Sequence, residues 1–224
     1  MLSIIIPVLD EANIINETIK HIINTFTHNE YEIIIVDGGS NANTLNKISI
    51  KGVTTLRSEA SRAIQMNQGA QNAKGEILLF LHADTMLPKM ASNKISQTIS
   101  DGCVAGAFNL GFDVSHPWLN LIAFITSIRS RITRIPYGDQ AIFVAKDFFK
   151  KIGGYKKIPL MEDVELMKSI KRSGGRIKIL KESVVTSSRR WTAKGMLKTT
   201  ALNNLIRTLY LFGVSAEKLK KIYY

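Results

Sequence analysis

A parallel sheet covered by helices on both faces is the α/β fold this sequence predicts, and three observations predict it. Three short apolar runs, "LSIIIPV" (Leu2 to Val8), "EIIIVDGGS" (Glu32 to Ser40) and "EILLFLHAD" (Glu76 to Asp84), have the unbroken apolar character of strands buried on both faces. Helical stretches separate them, the alternation that makes neighbouring strands parallel. Asp10, Glu11, Asp37, His82 and Asp84 fall at the carboxyl ends of the runs, where such sheets bind ligands.

The elements follow in order. The first run ends around a proline, as a buried strand does, and "DEANIINETIKHIINTF" places Ile14, Ile15, Ile19, Ile22, Ile23 and Phe26 on a helical stripe. The second run ends at glycines. "SEASRAIQMNQGAQNAKG" is rich in Ala and Gly and reads as a helix packed closely on the sheet through Gly69, Ala70 and Ala73. The second half is less regular. "VAGAFNLGF" and "AIFVAKDFF" look strand-forming and flank the apolar stretch "WLNLIAFITSI" from Trp118. "MEDVELMKSIKRSGG" is a helix with acid at its start and base at its end, the polarity the helix dipole favours. "RIKILKESVVTSS" alternates as an edge strand does, and the chain after Trp191 reads as helical to the basic end "AEKLKKIYY".

Composition narrows the class. The chain has 224 residues with a hydrophobic fraction of 45%, enough to bury a sizeable core. The single cysteine, Cys103, rules out an internal disulfide and fits a reducing, cytoplasmic location. The start, "MLSIIIPVLDE", lacks the basic region of a signal peptide, and the Trp118 stretch is too short to cross a bilayer. From Lys146 to Tyr224 there are 19 Lys and Arg against 6 Asp and Glu, or +13; the first 145 residues carry 11 against 12, or −1. Such a field attracts anions: nucleic acid, acidic lipid or substrate phosphate.

The ordered segments "SIIIPVLDEANII", "IIIVDGGS", "RAIQMNQGAQNAKGEILLFLHADT", "YGDQAIFVAKDFFKKIGGY" and "PLMEDVEL" resemble the successive motifs of family 2 glycosyltransferases, in particular a bacterial subgroup with "HAD" and "GDQ" signatures. The resemblance runs from about residue 2 to 191. It implies a GT-A fold, a nucleotide-sugar donor (a UDP-sugar through Asp37), and inverting transfer to a hydroxyl acceptor. The tight spacing of "SSRRW" (Ser187 to Trp191), with no membrane-spanning channel after it, makes non-processive transfer the expectation. It divides residues 1–191 into a nucleotide-binding half (1–100) and an acceptor-binding half (101–191), leaving 192–224 as a helical extension on the same domain.

The resemblance also assigns roles. The family's aspartate–any–aspartate metal motif stands here as His82–Ala83–Asp84, leaving Asp84 as the ligand of a Mg²⁺ or Mn²⁺ that bridges the donor phosphates. His82 is expected nearby but not ligating. Asp37 corresponds to the position contacting the base; Pro7, Leu9 and Glu11 enclose the nucleoside, and Arg62 lies near ribose or phosphate. Asp163 matches the catalytic base, and Glu162 orients the loop or acceptor. Gly138, Asp139, Gln140, Arg190 and Trp191 are expected to meet sugar or acceptor. Each acid also has a plain reading as a turn or helix-start residue.

Two other functions fit parts of the sequence. A nucleotidyltransferase shares the sheet and acidic metal ligands, but "PVLDEAN" lacks the glycine-rich basic loop expected after its first strand. A non-catalytic binder of anions or membrane surface fits the basic last third; base-stacking aromatics are too few for nucleic acid as the partner. A small-molecule or lipid-linked acceptor is compatible with the sequence. A peripheral contact at the inner membrane face through "KKIYY" and the Trp118 segment is compatible too. The simpler expectation is a basic amphipathic helix covering the core, with Trp118 to Ile128 a buried helix or a homodimer contact.

Overall fold

A computed structural model describes residues 1–27 and 30–223; Tyr224, the last residue of the basic tail, lies outside the described residues. The strands are β1 (Leu2–Val8), β2 (Tyr31–Asp37), β3 (Val53–Arg57), β4 (Ile77–Phe80), β5 (Thr85–Met86), β6 (Ala105–Asn109), β7 (Ile142–Ala145), β8 (Ile177–Ser183) and β9 (Val185–Thr186). The helices are α1 (Ile15–Thr25), α2 (Arg62–Asn72), α3 (Ala91–Ser100), α4 (Pro117–Thr133), α5 (Lys146–Lys151), α6 (Glu162–Arg172), α7 (Arg189–Lys194), α8 (Met196–Leu211) and α9 (Ala216–Tyr223).

The main sheet runs β3-β2-β1-β4-β7-β6-β8, and β5 pairs with β9 in a separate ribbon. Strands β1 to β4 are mutually parallel, with Val8 opposite Asp37 and Ile5 opposite Phe80. Strand β7 runs against both neighbours, while β6 and β8 are parallel to each other. This single reversal matters for the site. It brings the loop before β7 to the same edge as the carboxyl ends of β1, β2 and β4.

Alternate residues of the continuous strands feed two cores. Ile4, Ile6, Ile33 and Ile35 pack on one face with Ile15, Ile19 and Ile22 of α1. Ile5, Ile34, Val36 and Leu78 pack on the other with Ala63, Met66 and Ala70 of α2 and with Leu166, Met167 and Ile170 of α6. Gly69 sets the distance of α2 from the sheet: a Cβ there would lie 2.4 Å from Cγ2 of Ile5.

Several features differ from the sequence reading, which has no counterpart of helix α3. Strand β3 has no counterpart in it, because its side chains are half-buried or exposed and carry no apolar run. "AIFVAKDFF" is strand only to Ala145 and becomes α5 at Lys146. Helix α4 is not buried: only Leu119, Ser127 and Ser130 are. No helix among the described residues is long and apolar enough to cross a membrane.

Candidate active site

The edge at β1 and β2 is fixed from within. The Gln65 amide donates to the carbonyls of Val8 (2.8 Å) and Val36 (2.7 Å), tying the two strand ends together. Asp37 follows at the end of β2. Its Oδ1 accepts from the Gly39 amide at 2.7 Å, while Oδ2 is buried with no protein partner. A buried carboxylate oxygen left open is costly unless something else donates to it. Beyond β1 the chain turns at Asp10, whose φ is 57°. Pro7 is half-buried, Leu9 is exposed, and the Glu11 amide donates to the Thr44 hydroxyl at 3.0 Å.

Past β4 the buried strand ends in His82 and Asp84. The β5–β9 ribbon then pairs Thr85 with Thr186, their hydroxyls 3.0 Å apart, and the Ser187 amide donates to the Asp84 carbonyl at 3.1 Å. This ribbon delivers Arg189, the first residue of α7, over the strand ends. The guanidinium donates twice to the Glu11 carboxylate (2.9 and 2.5 Å) and lies 3.3 Å from Asp84. Burial raises the Asp84 pKa and Glu11 adds to the rise, against the pull of Arg189. The Arg189 guanidinium is held above its usual value, chiefly by its bonds to Glu11.

The reversed strand β7 brings in the third group. Gly138 allows the loop to close: a Cβ there would lie 2.8 Å from Nε2 of His82 and 3.8 Å from Oδ2 of Asp163. The Gly138 amide donates to Oδ2 of Asp163 at 2.7 Å, and the Val164 amide donates to its Oδ1 at 2.7 Å. Asp163 lies in the first turn of α6, where the dipole favours acid. Even so, burial pushes the Asp163 and Glu162 carboxyls above the usual range, and the charge of Asp163 raises Glu162 further. Asp139 is pushed up to about 6 by burial and by Asp163, and its Oδ1 is buried without a partner. His82 is pushed down to about 3 by burial, with Arg62 adding to the shift, so its ring is neutral.

Gln140 is placed differently from the sequence expectation. It is fully buried; Oε1 accepts from the Ser130 hydroxyl (2.7 Å) and the Tyr137 amide (3.1 Å), and Nε2 donates to the Phe108 carbonyl (2.8 Å). Its amide anchors the loop to α4 and β6, and its side chain does not line the cavity that holds the neighbouring acids.

One cavity of about 300 Å³ gathers the rest: Arg62, His82, Asp84, Gly138, Asp139, Glu162, Asp163, Arg190 and Trp191 all line it. Pro7, Leu9, Glu11 and Asp37 do not line it but share its sheet edge, and Arg189, which does line it, connects it to Glu11. Trp191 packs edge-on against Phe112 at 4.9 Å, and the Arg190 guanidinium lies 4.0 Å from the centre of the Tyr223 ring. Sequence reasoning missed Arg189, Tyr137, Asn203, Ile206 and Tyr223 on the cavity wall. Arg190 was marked in the sequence, but only the ribbon decides which of the adjacent arginines 189 and 190 reaches the acids. Helix α8 carries no motif that would have marked Asn203 or Ile206.

No cluster of three or more His, Cys, Asp or Glu able to hold a metal occurs among the described residues. A cation here would rest on Asp84 and complete its shell from phosphate and water, as Mg²⁺ commonly does.

Known proteins resemble this chain in sequence profile and in fold. The sequence profile of glycosyl transferase family 2 matches residues 3–174. No curated protein matches the sequence at a significant level. Among solved structures, the mannosyltransferase PcManGT from Pyrobaculum calidifontis, in complex with GDP-Man and Mn²⁺, superposes with a TM-score of 0.71 at 17% identity, covering 99% of this chain and 67% of that one. TarS residues 1–349 of S. aureus in complex with UDP gives 0.63 at 19% identity, covering 83% and 60%. The same protein with UDP-GlcNAc gives 0.64 at 16%, covering 84% and 58%. This chain spans less than two thirds of these two TarS chains. At such identities the likeness is one of fold, the GT-A arrangement of a mainly parallel sheet between helices. With the profile matching most of its length, the chain belongs to glycosyl transferase family 2 and is a glycosyltransferase.

Proposed function

We propose that this glycosyltransferase moves a sugar from a UDP-sugar to an acceptor hydroxyl in one step, with inversion at the anomeric carbon and a divalent cation at Asp84. The observation that carries the reading is that Asp84 and Asp163, 79 positions apart in the sequence, line one cavity. Asp37, with its open Oδ2, is the acceptor for a base N–H at the β2 end, and Pro7, Leu9 and Glu11 flank the nucleoside. Arg62 and Arg189 supply positive charge toward the diphosphate. Residues 1–100 thus hold the nucleotide, and 101–191 receive the acceptor.

Mg²⁺ or Mn²⁺, when bound, neutralises the charge that develops on the leaving diphosphate. A carboxylate oxygen on Asp84, beside a half-exposed arginine side chain 3.3 Å away, fits such an ion. Asp163 takes the proton of the acceptor hydroxyl as the new bond forms. Its raised pKa brings the base closer to neutral pH, where proton transfer is most effective. Neutral His82 packs against Gly138 and keeps the loop close to Asp163. Asp139, Arg190 and Trp191 face the sugar or acceptor, and Glu162 orients the first turn of α6. A cytoplasmic location belongs to the same reading.

The test is a panel of UDP- and GDP-sugars screened for thermal stabilisation with Mg²⁺ or Mn²⁺. A donor at 100 times its Kd should stabilise by about 2.7 kcal/mol. Stabilisation by GDP-sugars alone would remove the uracil assignment, and no response to any donor would count against the reading as a whole.

A further inference from the structure

Helix α4 is built inside out. Its buried side presents Leu119 in the first turn and then two serines: Ser127, whose hydroxyl accepts from the Leu110 amide at 3.1 Å, and Ser130, whose hydroxyl donates to Gln140. Its outward side carries Leu121, Phe124, Ile125, Ile128 and Ile132, spaced by three and four residues, so that they form one stripe. Phe124 is 63% exposed and Ile132 is 77% exposed. A helix that only covers a core has the opposite polarity.

Helix α8 lies beside it. The Trp118 indole donates to the Thr200 hydroxyl at 3.3 Å, and the charge of Arg207 acts on Tyr137 just beyond α4. Helix α8 also turns apolar groups outward: Leu197, Leu205, Leu211 and, one residue past its end, Phe212 at 83% exposure. Large apolar side chains exposed in this number on two neighbouring helices mark a contact surface rather than ordinary scatter.

We infer that the α4–α8 face docks on an anionic lipid bilayer, with both helices lying in the interface. Charge chooses this occupant. Residues 189–224 carry eight Lys and Arg against the single acid Glu217, and Lys194, Lys198, Lys218, Lys220 and Lys221 are exposed. Arg131 and Arg134 are exposed at the end of α4. A second copy of a chain with net charge +12 would bring like charges together around the patch, whereas acidic headgroups complement them. Neither helix qualifies as a membrane-spanning segment, and an apolar stripe beside basic residues suits a helix lying at the surface.

The docking face is joined to the cavity, because Asn203 and Ile206 of α8 line the catalytic side of the same helix. The acceptor class that follows is a hydroxyl compound held at a membrane surface. This last step rests on the transfer reaction proposed above; the docking does not.

Co-flotation of the full chain with vesicles tests it, using phosphatidylcholine with and without about one third phosphatidylglycerol. The parent protein should float with the anionic vesicles, and more salt should weaken binding. The exposed double variant Phe124→Ser/Ile132→Ser should float about tenfold less, through lost apolar burial, with an unchanged melting temperature. A second pair, Leu211→Ser/Phe212→Ser, should behave alike if one pair fails to express. No flotation of the parent overturns the inference, and so does equal flotation of parent and variants, which leaves charge alone as the cause. A dimer abolished by the same substitutions, without vesicle binding, assigns the face to a second copy and overturns it too. Donor-induced thermal stabilisation without vesicles reads the transferase assignment separately.

Discussion

Asp163 carries the sharpest chemical demand in the molecule. Two backbone amides fix its carboxylate, while burial raises its pKa. Asp163→Asn keeps the shape and the acceptor oxygens but cannot take a proton. Transfer should fall by about 10²–10⁴-fold, the usual contribution of a general base, with donor affinity within a few-fold of the parent. Steady-state kinetics beside calorimetry check it; transfer at the parental rate would remove Asp163 from the role. Asp139 gives a prediction of the opposite sign, for stability. Its pKa in the fold, about 6, lies above the ordinary 3.8, so the folded state holds the proton more tightly. The stability this contributes is present at low pH and lost as pH rises through that window. Asp139→Asn should therefore raise the melting temperature by a few degrees in mildly alkaline buffer, and by less in acid. An equal shift at both pH values would contradict the burial argument.

At the scale of elements, the close seat of α2 on the sheet is the feature most exposed to test. Gly69→Ala puts a methyl 2.4 Å from Ile5 Cγ2 and 3.3 Å from Val36 Cγ2. Overpacking of this kind costs about 1–3 kcal/mol, so chemical denaturation should show a lower midpoint with an unchanged slope. Activity per folded molecule should change little if α2 shifts as a body; an unchanged midpoint would mean that the sheet yields without strain. The elements also show what a sequence reveals and what it hides. Strands β1, β2 and β4 were legible because unbroken apolar runs have few other uses. Strand β3 was not, since "VTTLR" is an edge with little to bury. The apolar spacing of α4 was visible, but periodicity does not say which side faces the core. The two serines that settle this, Ser127 and Ser130, look like breaks in an apolar run until their partners are known.

Across the whole molecule, topology converts scattered motifs into one site. Parallel strands set Asp37 and Asp84 on one edge, and the reversal of β7 brings Gly138 and Asp139 into one cavity with Asp84. The acids were legible because they interrupt strands that are otherwise apolar. Gln140 turns its amide inward, which its motif position does not disclose. Arg189 was missed because only the β5–β9 ribbon carries it to Glu11 and Asp84. The division of labour along this edge, phosphate at Asp84 and acceptor at Asp163, is the central claim. Calorimetry of UDP with and without Mn²⁺ tests it most directly when run on the parent and on Asp84→Ala. The account predicts that Mn²⁺ tightens UDP binding to the parent by about tenfold or more, roughly 1.4 kcal/mol, and that Asp84→Ala loses this gain. Equal tightening by Mn²⁺ in both proteins would contradict it.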